Sequence, residues 1–335
     1  MFDINFYRNL NGKTDYDSLE YLRNPLPHVY NIETTNACNM RCKMCPRTTM
    51  MTRPVETMNV ELFKKIIDQL NPFSQEQWVN WTKFVQDKYK VLPGDMSENH
   101  FFLYIIPQMI QLHGYGDPLL DKNMAILVKM LTERGFKSYF SCNPANMYYP
   151  KLVEICENGL SCIKFSIESV DDKKQNEIRG GNSTLTKSYY WIRRLLERKT
   201  LKTAVVITML DLNREGQKEE FEKLKEWFKG LGAYIYLKSE DTQWYRKDFH
   251  GTKSIHWSER CKHPWMSMTI KSNGEVAMCM EDFNNEIILG DAKTESLIDI
   301  WNGKKYDDFR RFHLNPNKGI RCTDRCDMKL MGEPC

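Results

Sequence analysis

Ile32-Glu33-Thr34-Thr35-Asn36-Ala37-Cys38-Asn39-Met40-Arg41-Cys42-Lys43-Met44-Cys45-Pro46 is the stretch on which the reading of this chain turns. The apolar run 29–33 leading into it is a strand candidate, which places three thiols on the loop that follows a strand. A tight C-x3-C-x2-C loop can direct three sulfurs toward one cubic iron–sulfur cluster. Such a cube normally takes four cysteine thiolates, so three supplied locally leave one iron open to an exogenous ligand. The competing reading, a zinc knuckle, needs a fourth protein ligand nearby, and no His or further Cys follows within the loop.

Further strand candidates at 108–113, 137–141, 162–168, 203–209 and 233–237 alternate with helical periodicity. Leu62, Phe63, Ile66, Ile67 and Leu70 share one helix face behind a possible Asn59 cap, and Ile126, Leu127, Met130 and Leu131 share another that stops at Gly135. Strand–helix alternation implies parallel strands with crossover helices. The expected fold is therefore α/β, a partial (β/α)6 TIM-like barrel over residues 27–241 behind an N-terminal extension, 1–26. Active residues should gather at the C-terminal ends of its strands. An insertion at about 71–97 carries Trp78, Trp81, Phe84 and Val85 at helical spacing, read as a helix on the barrel rim rather than a substrate lid. Alternation ends near 241–250, and residues 242–335 form a small Cys-rich C-terminal domain.

Composition narrows the class. Of 335 residues 41% are hydrophobic and 12% aromatic, which suits a packed core rather than disorder. A formal charge of +4 is no polyanion signature, so nucleic acid is not expected as a partner. No run reaches the roughly 18 apolar residues that cross a bilayer, and the opening MFDINFYRNLNGKTDYDSLE has no apolar signal-peptide core. No membrane association and a cytoplasmic location are the expectation. There, eleven cysteines point to metal binding or catalysis rather than disulfides. Cys142, Cys156 and Cys162 stand apart and read as small buried hydrophobes.

The cysteine triplet after the first strand of a six-unit β/α chain resembles the radical S-adenosylmethionine (SAM) enzymes. That resemblance implies a [4Fe–4S] cluster on Cys38, Cys42 and Cys45 whose open iron binds SAM. One electron, from a flavodoxin- or ferredoxin-like donor, then releases a 5′-deoxyadenosyl radical that abstracts a substrate hydrogen. It further implies that Gly114-Tyr115-Gly116-Asp117 meets the SAM amino group, although the family commonly has Glu where this chain has Asp117. Ser141 and Asn143 correspond to positions that hold the ribose. Ser166 and Arg179 correspond to those that hold the methionine carboxylate, and Met44 lies beside the adenine. Glu168 and His113 at the same mouth are the candidate bases.

In the last quarter, Asn273-Gly274 reads as a hairpin turn that brings Cys261 near Cys279. Cys322 and Cys326 follow, and four thiols suit either one cluster or a structural zinc. The arrangement resembles the SPASM and twitch extensions of radical SAM enzymes. It implies one auxiliary [4Fe–4S] cluster on Cys261, Cys279, Cys322 and Cys326, with Cys335 an alternative to Cys326. The expected activity is oxidation of a carbinol in a small sugar- or aminocyclitol-like molecule. The alternatives are a peptide maturase that crosslinks or epimerises a ribosomal precursor, or a redox-neutral epimerase or lyase. Maturases often carry a winged-helix domain ahead of the barrel, and the stretch before the first strand is too short for one.

Overall fold

The computed structural model describes residues 3–94, 97–181, 183–238 and 261–314. Strands β1 (Val29–Ile32), β2 (Met109–Gln111), β3 (Lys137–Cys142), β4 (Cys162–Ser166), β5 (Ala204–Leu210) and β6 (Tyr234–Lys238) lie side by side in chain order, all parallel. This is the expected partial barrel. Each strand sorts its side chains by alternation. Ile110, Phe140, Ile163, Phe165, Val205, Ile207 and Ile235 face outward and pack under the crossover helices. The Val60–Ile67 helix opens as the sequence suggests, with Asn59 Oδ1 accepting from Leu62 N at 2.7 Å.

The inward face carries a second, aromatic cluster: Tyr30, Met109, Tyr139, Cys162, Val206 and Tyr236 meet Phe6, Tyr7, Trp81, Phe84 and Phe101. Here the inserted segment finds its place. A capping box between Ser74 and Gln77 starts the Gln75–Tyr89 helix. Its Trp81 indole donates to Leu103 O at 2.6 Å, and the Tyr7 ring meets Trp81 edge-on. The chain then runs through Phe101–Ile105 into the start of β2, so this helix plugs the N-terminal end of the barrel, away from the cysteine loop. It is a floor, and the lid alternative does not apply.

C-terminal to the barrel the sheet continues. Strand β7 (Met268–Ile270) pairs parallel with β1, from Val29↔Met268 to Ile32↔Ile270. Strands β8 (Glu275–Ala277) and β9 (Ile288–Asp291) then add antiparallel, completing nine strands in the order β6-β5-β4-β3-β2-β1-β7-β8-β9. The Asn273-Gly274 hairpin forms, but only Gly274 has positive φ, at 86°. Lys271 N donates to Glu275 O and Gly274 N to Lys271 O, so the loop encloses three residues, Ser272, Asn273 and Gly274, rather than two. Helices Leu297–Asn302 and Lys304–His313, absent from the sequence reading, bury Trp301, Tyr306 and Phe309. The boundary expected near 241–250 lies outside the described residues. Among those described, no helix is long and apolar enough to cross a membrane.

Candidate active site

The Cys38–Cys45 loop leaves β1 and is tied down from both sides. Asp117 N donates to Ala37 O at 2.8 Å; Arg41 N and Lys43 N donate to Arg179 O and Ile178 O, both at 3.0 Å. Two glycines permit these approaches. A Cβ on Gly116 would stand 2.1 Å from Thr35 O, and one on Gly181, at φ +64°, would stand 2.7 Å from Asn39 O. Burial pushes the Cys45 thiol up to about 12, and the neighbouring Cys42 and Cys38 add to the shift. Cys38 is raised as well, again chiefly by burial. Thiols so placed become thiolates only beside strong positive charge, which bound iron supplies.

These three thiols line one cavity of ≈ 290 Å³ at the barrel mouth. Met44, Gly114, Tyr115, Gly116 and Asp117 line it too, as do Ser141, Asn143, Ser166, Arg179, Glu168 and His113. The structure therefore brings together every barrel residue singled out from the sequence. Their hydrogen bonds divide them by task. Glu168, 1% exposed, pairs through Oε1 with Arg179 Nη2 and accepts from Leu210 N at Oε2 (2.6 Å). Its carboxylate is committed to holding the guanidinium. Asp117 is also committed: Oδ1 accepts from Leu119 N, and Oδ2 from Asn143 N and Asn146 Nδ2. It ties the loop after β2 to the loop after β3. Asn143 in turn caps the next turn, accepting from Ala145 N at Oδ1.

Ser141 N donates to His113 Nδ1 at 3.1 Å, which leaves the ring hydrogen on Nε2. Burial, with Lys164 and Lys238 nearby, holds the His113 pKa well below its ordinary value. This neutral ring offers the cavity a donor rather than an acceptor. Neither sequence candidate for the base thus presents an uncommitted acceptor to the cavity.

Sequence reasoning missed Glu33. It is fully buried, and Arg53 Nη2 reaches both its oxygens at 2.9 Å. Tyr115 N donates to Oε1 at 3.1 Å, while Ser272 N and Oγ donate to Oε2 at 3.3 Å. Burial pushes the Glu33 carboxyl up, but Lys271 and Arg53 more than offset it, and it lies below its ordinary value. One carboxylate therefore joins β1, the glycine loop and the C-terminal hairpin. A Cβ on Gly114 would stand 2.4 Å from Glu33 Oε1, so that glycine makes room for this hub. Lys164, Thr208, Lys238, Met280 and Glu281 also line the cavity. Alternation along β4 from Ser166 and Glu168 back to Lys164 was the available signal; the others are nonlocal.

At the second site Cys261 Sγ accepts from His263 N at 3.3 Å. Cys279 is buried, which raises its thiol pKa, and Glu281, Asp282 and Cys261 add to the shift. The pair expected from the hairpin are electrostatic neighbours. Cys322, Cys326 and Cys335 lie outside the described residues.

Profile comparison matches residues 32–228, well over half the chain, to the radical SAM superfamily. This chain is a radical SAM protein. Residues 261–327 match the SPASM iron–sulfur cluster-binding domain, a span that includes Cys261, Cys279, Cys322 and Cys326 and ends before Cys335. The S-adenosyl-L-methionine-dependent 2-deoxy-scyllo-inosamine dehydrogenase of Niallia circulans is 20% identical over 296 residues, 87% of this chain and 88% of that protein. The crystal structure of BtrN in complex with AdoMet and 2-DOIA superposes with a TM-score of 0.51 at 17% identity, covering 88% of this chain and 90% of BtrN. Streptococcus suis SuiB bound to precursor peptide SuiA gives 0.56 at 12% identity, covering 88% of this chain and 70% of SuiB. At such identities the solved structures speak for the fold.

The cofactors of this radical SAM SPASM protein are SAM and two iron–sulfur clusters. The barrel cavity fits its share of them. Three soft thiolate donors stand on one wall, and Arg179 Nε is buried there without a hydrogen-bond partner. Among the described residues no three His, Cys, Asp or Glu side chains converge on a single ion position. Thiols that each take a separate iron of a cube do not need to.

Proposed function

We propose that this protein oxidises a carbinol of a small polar metabolite, with the auxiliary cluster accepting the second electron. One observation carries the reading: Met280 and Glu281, the two residues after Cys279, line the same cavity as the Cys38 loop. An electron leaving the substrate there has a cluster ligand one peptide bond from the cavity wall. The dehydrogenase relative supports the same reaction class. When bound, SAM and the clusters supply a hydrogen-abstracting radical and a one-electron sink.

The chain's own residues supply position and a proton acceptor. Arg179, fixed by Glu168, is suited to the methionine carboxylate through its remaining N–H groups. Ser141 and Ser166 offer hydroxyls to the bound SAM, and Met44 an apolar surface. We assign the base to Glu281, a carboxylate on the cavity wall whose Oε2 accepts from the Tyr115 hydroxyl at 2.8 Å. The carbinol would lose a hydrogen atom to the radical, its hydroxyl proton to Glu281 and one electron to the auxiliary cluster. A carbonyl is what remains. A flavodoxin- or ferredoxin-like protein would supply the initiating electron.

The test is a substrate deuterated at the reacting carbon. Label should appear in 5′-deoxyadenosine, matched one to one by a product lighter than unlabelled substrate by two hydrogens. In Glu281→Gln, label should still reach 5′-deoxyadenosine while carbonyl product falls about 100-fold or more. A product of unchanged mass would mean epimerisation or rearrangement, and the oxidative reading would be lost.

A further inference from the structure

Lys271 follows β7 as Glu33 follows β1, and the register Ile32↔Ile270 sets the two residues side by side. The lysine is fully buried, at 0% exposure. Glu33 does not need it as a hydrogen-bond donor, since Arg53 Nη2 already reaches both carboxylate oxygens. The Lys271 ammonium donates elsewhere, from Nζ to Met280 O at 3.0 Å, and it stands 6.0 Å from the centre of the Tyr115 ring. Apolar side chains in place of a buried charge network often leave a fold as stable or more so. Packing alone therefore does not call for a lysine at this position.

Met280 is the residue after Cys279, so the ammonium is tied to the turn that carries an auxiliary-site thiol. That turn is held from its other side too. Asp282 accepts from Glu286 N at 2.8 Å and from Ile287 N at 2.9 Å, while Arg53 Nε donates to Phe283 O at 2.7 Å. Charge and thiol thus keep a fixed relation. Burial and Glu281 raise the Cys279 thiol pKa, and Lys271 acts in the opposite direction. Burial holds the Lys271 pKa below its ordinary value, with Glu33 and Asp282 acting to keep the proton on and Arg53 against it. The described thiols suit an iron–sulfur cluster: Cys261 and Cys279 are soft donors acting on each other, and Cys261 Sγ accepts from His263 N at 3.3 Å.

We propose that Lys271 is a positioning residue of the auxiliary centre, whose fixed ammonium raises the reduction potential of the cluster held by Cys279 and so poises it to accept an electron. Reduction adds one negative charge to a cluster. A cation fixed beside it stabilises the reduced form more than the oxidised one, most strongly where water is excluded. The bond to Met280 O keeps the ammonium from turning away. It also holds the backbone between Cys279 and Glu281, the stretch where the auxiliary site meets the cavity wall. The use of that electron acceptance rests on the oxidative reading of the cavity; the raised potential does not.

A redox titration of the anaerobically reconstituted full chain, followed by electron paramagnetic resonance without SAM or substrate, tests this. The variant with Cys38, Cys42 and Cys45 all replaced by Ala supplies the reference spectrum of the auxiliary cluster. The midpoint potential of that cluster should move to a more negative value in Lys271→Met and in Lys271→Gln, and stay at the wild-type value in Lys271→Arg. Lys271→Gln keeps an N–H donor and drops the charge, which separates the charge from the hydrogen bond to Met280 O. Iron content and thermal midpoints check that each variant is folded. Should Lys271→Met fail that check, Lys271→Gln against wild type still decides. A lysine with a merely structural role would lower the thermal midpoint and leave the potential where it was. That result, a shift to a more positive value, or a shift in Lys271→Arg as large as in Lys271→Gln overturns the proposal. Because no substrate is present, failure of the oxidative reading would leave the measured shift standing, and the reverse.

Discussion

At the N-terminal end of the barrel, Tyr30, Tyr139 and Tyr236 meet Trp81, Phe84 and Phe101, whereas at the other end the same strands lead into Glu33, His113, Ser141 and Lys238. The floor is held by ring packing and burial. The mouth is held by charged groups whose partners are mostly the protein's own backbone and side chains: Glu33 with Arg53, Glu168 with Arg179, Asp117 with two loops. A strand of five or six residues can serve both ends because alternation gives it an inward residue at each. Rigidity at the mouth thus comes from committed polar groups, and stability and chemistry can be changed separately.

The sharpest break in that comparison is the triple variant Cys38→Ala, Cys42→Ala, Cys45→Ala. It should abolish 5′-deoxyadenosine formation and lower iron from about eight to about four per chain, the content of one remaining cube. The melting of the floor, followed by aromatic circular dichroism, should be retained. SAM cleavage surviving in this variant would remove the basis for the site. Next in size, Trp81→Ala should destabilise the fold by about 3–5 kcal/mol through cavity formation, read from the denaturation midpoint. SAM cleavage per folded molecule should stay unchanged; a parallel loss would show that floor and mouth are coupled. Smallest is Glu33→Gln, expected to cost about 1–3 kcal/mol by weakening a buried charge-assisted network. The folded Glu33 carboxyl lies below its ordinary value, so its contribution is present above the unfolded value of about 4.3 and lost only as pH falls through the folded one. The gap between wild type and Glu33→Gln should therefore be flat between about pH 6 and 8. A gap that grows or shrinks across this range would mean that another group titrates with it.

Much of the barrel was legible because its signals are local. Alternating apolar runs marked all six parallel strands, and one seven-residue spacing marked the thiol loop. What stayed hidden was pairing across distance. That β7 lies parallel to β1 follows from no pattern within either segment. Glu33 looked like the end of a strand because its partners, Arg53, Tyr115 and Ser272, come from three other segments. Asp117 is a related case: nothing near it in sequence shows that its carboxylate also accepts from the amide groups of Asn143 and Asn146. In the C-terminal region attention to cysteines hid an ordinary helical pattern, Leu297, Ile300 and Trp301 behind the Ser296 cap.

The parallel pairing of β7 with β1 also sets a schedule for synthesis. Ser272 follows Glu33 by 239 residues, so at 5–20 residues per second a ribosome needs about 10–50 s to deliver the second after the first. Once β2 has followed, β1 has that strand on one side and, until β7 arrives, an unsatisfied row of backbone amides on the other. The nascent barrel is thus complete in its helices long before its first strand is sealed. The hairpin that seals β1 is followed directly by Cys279, so cover for this strand and delivery of the auxiliary-site thiol arrive together.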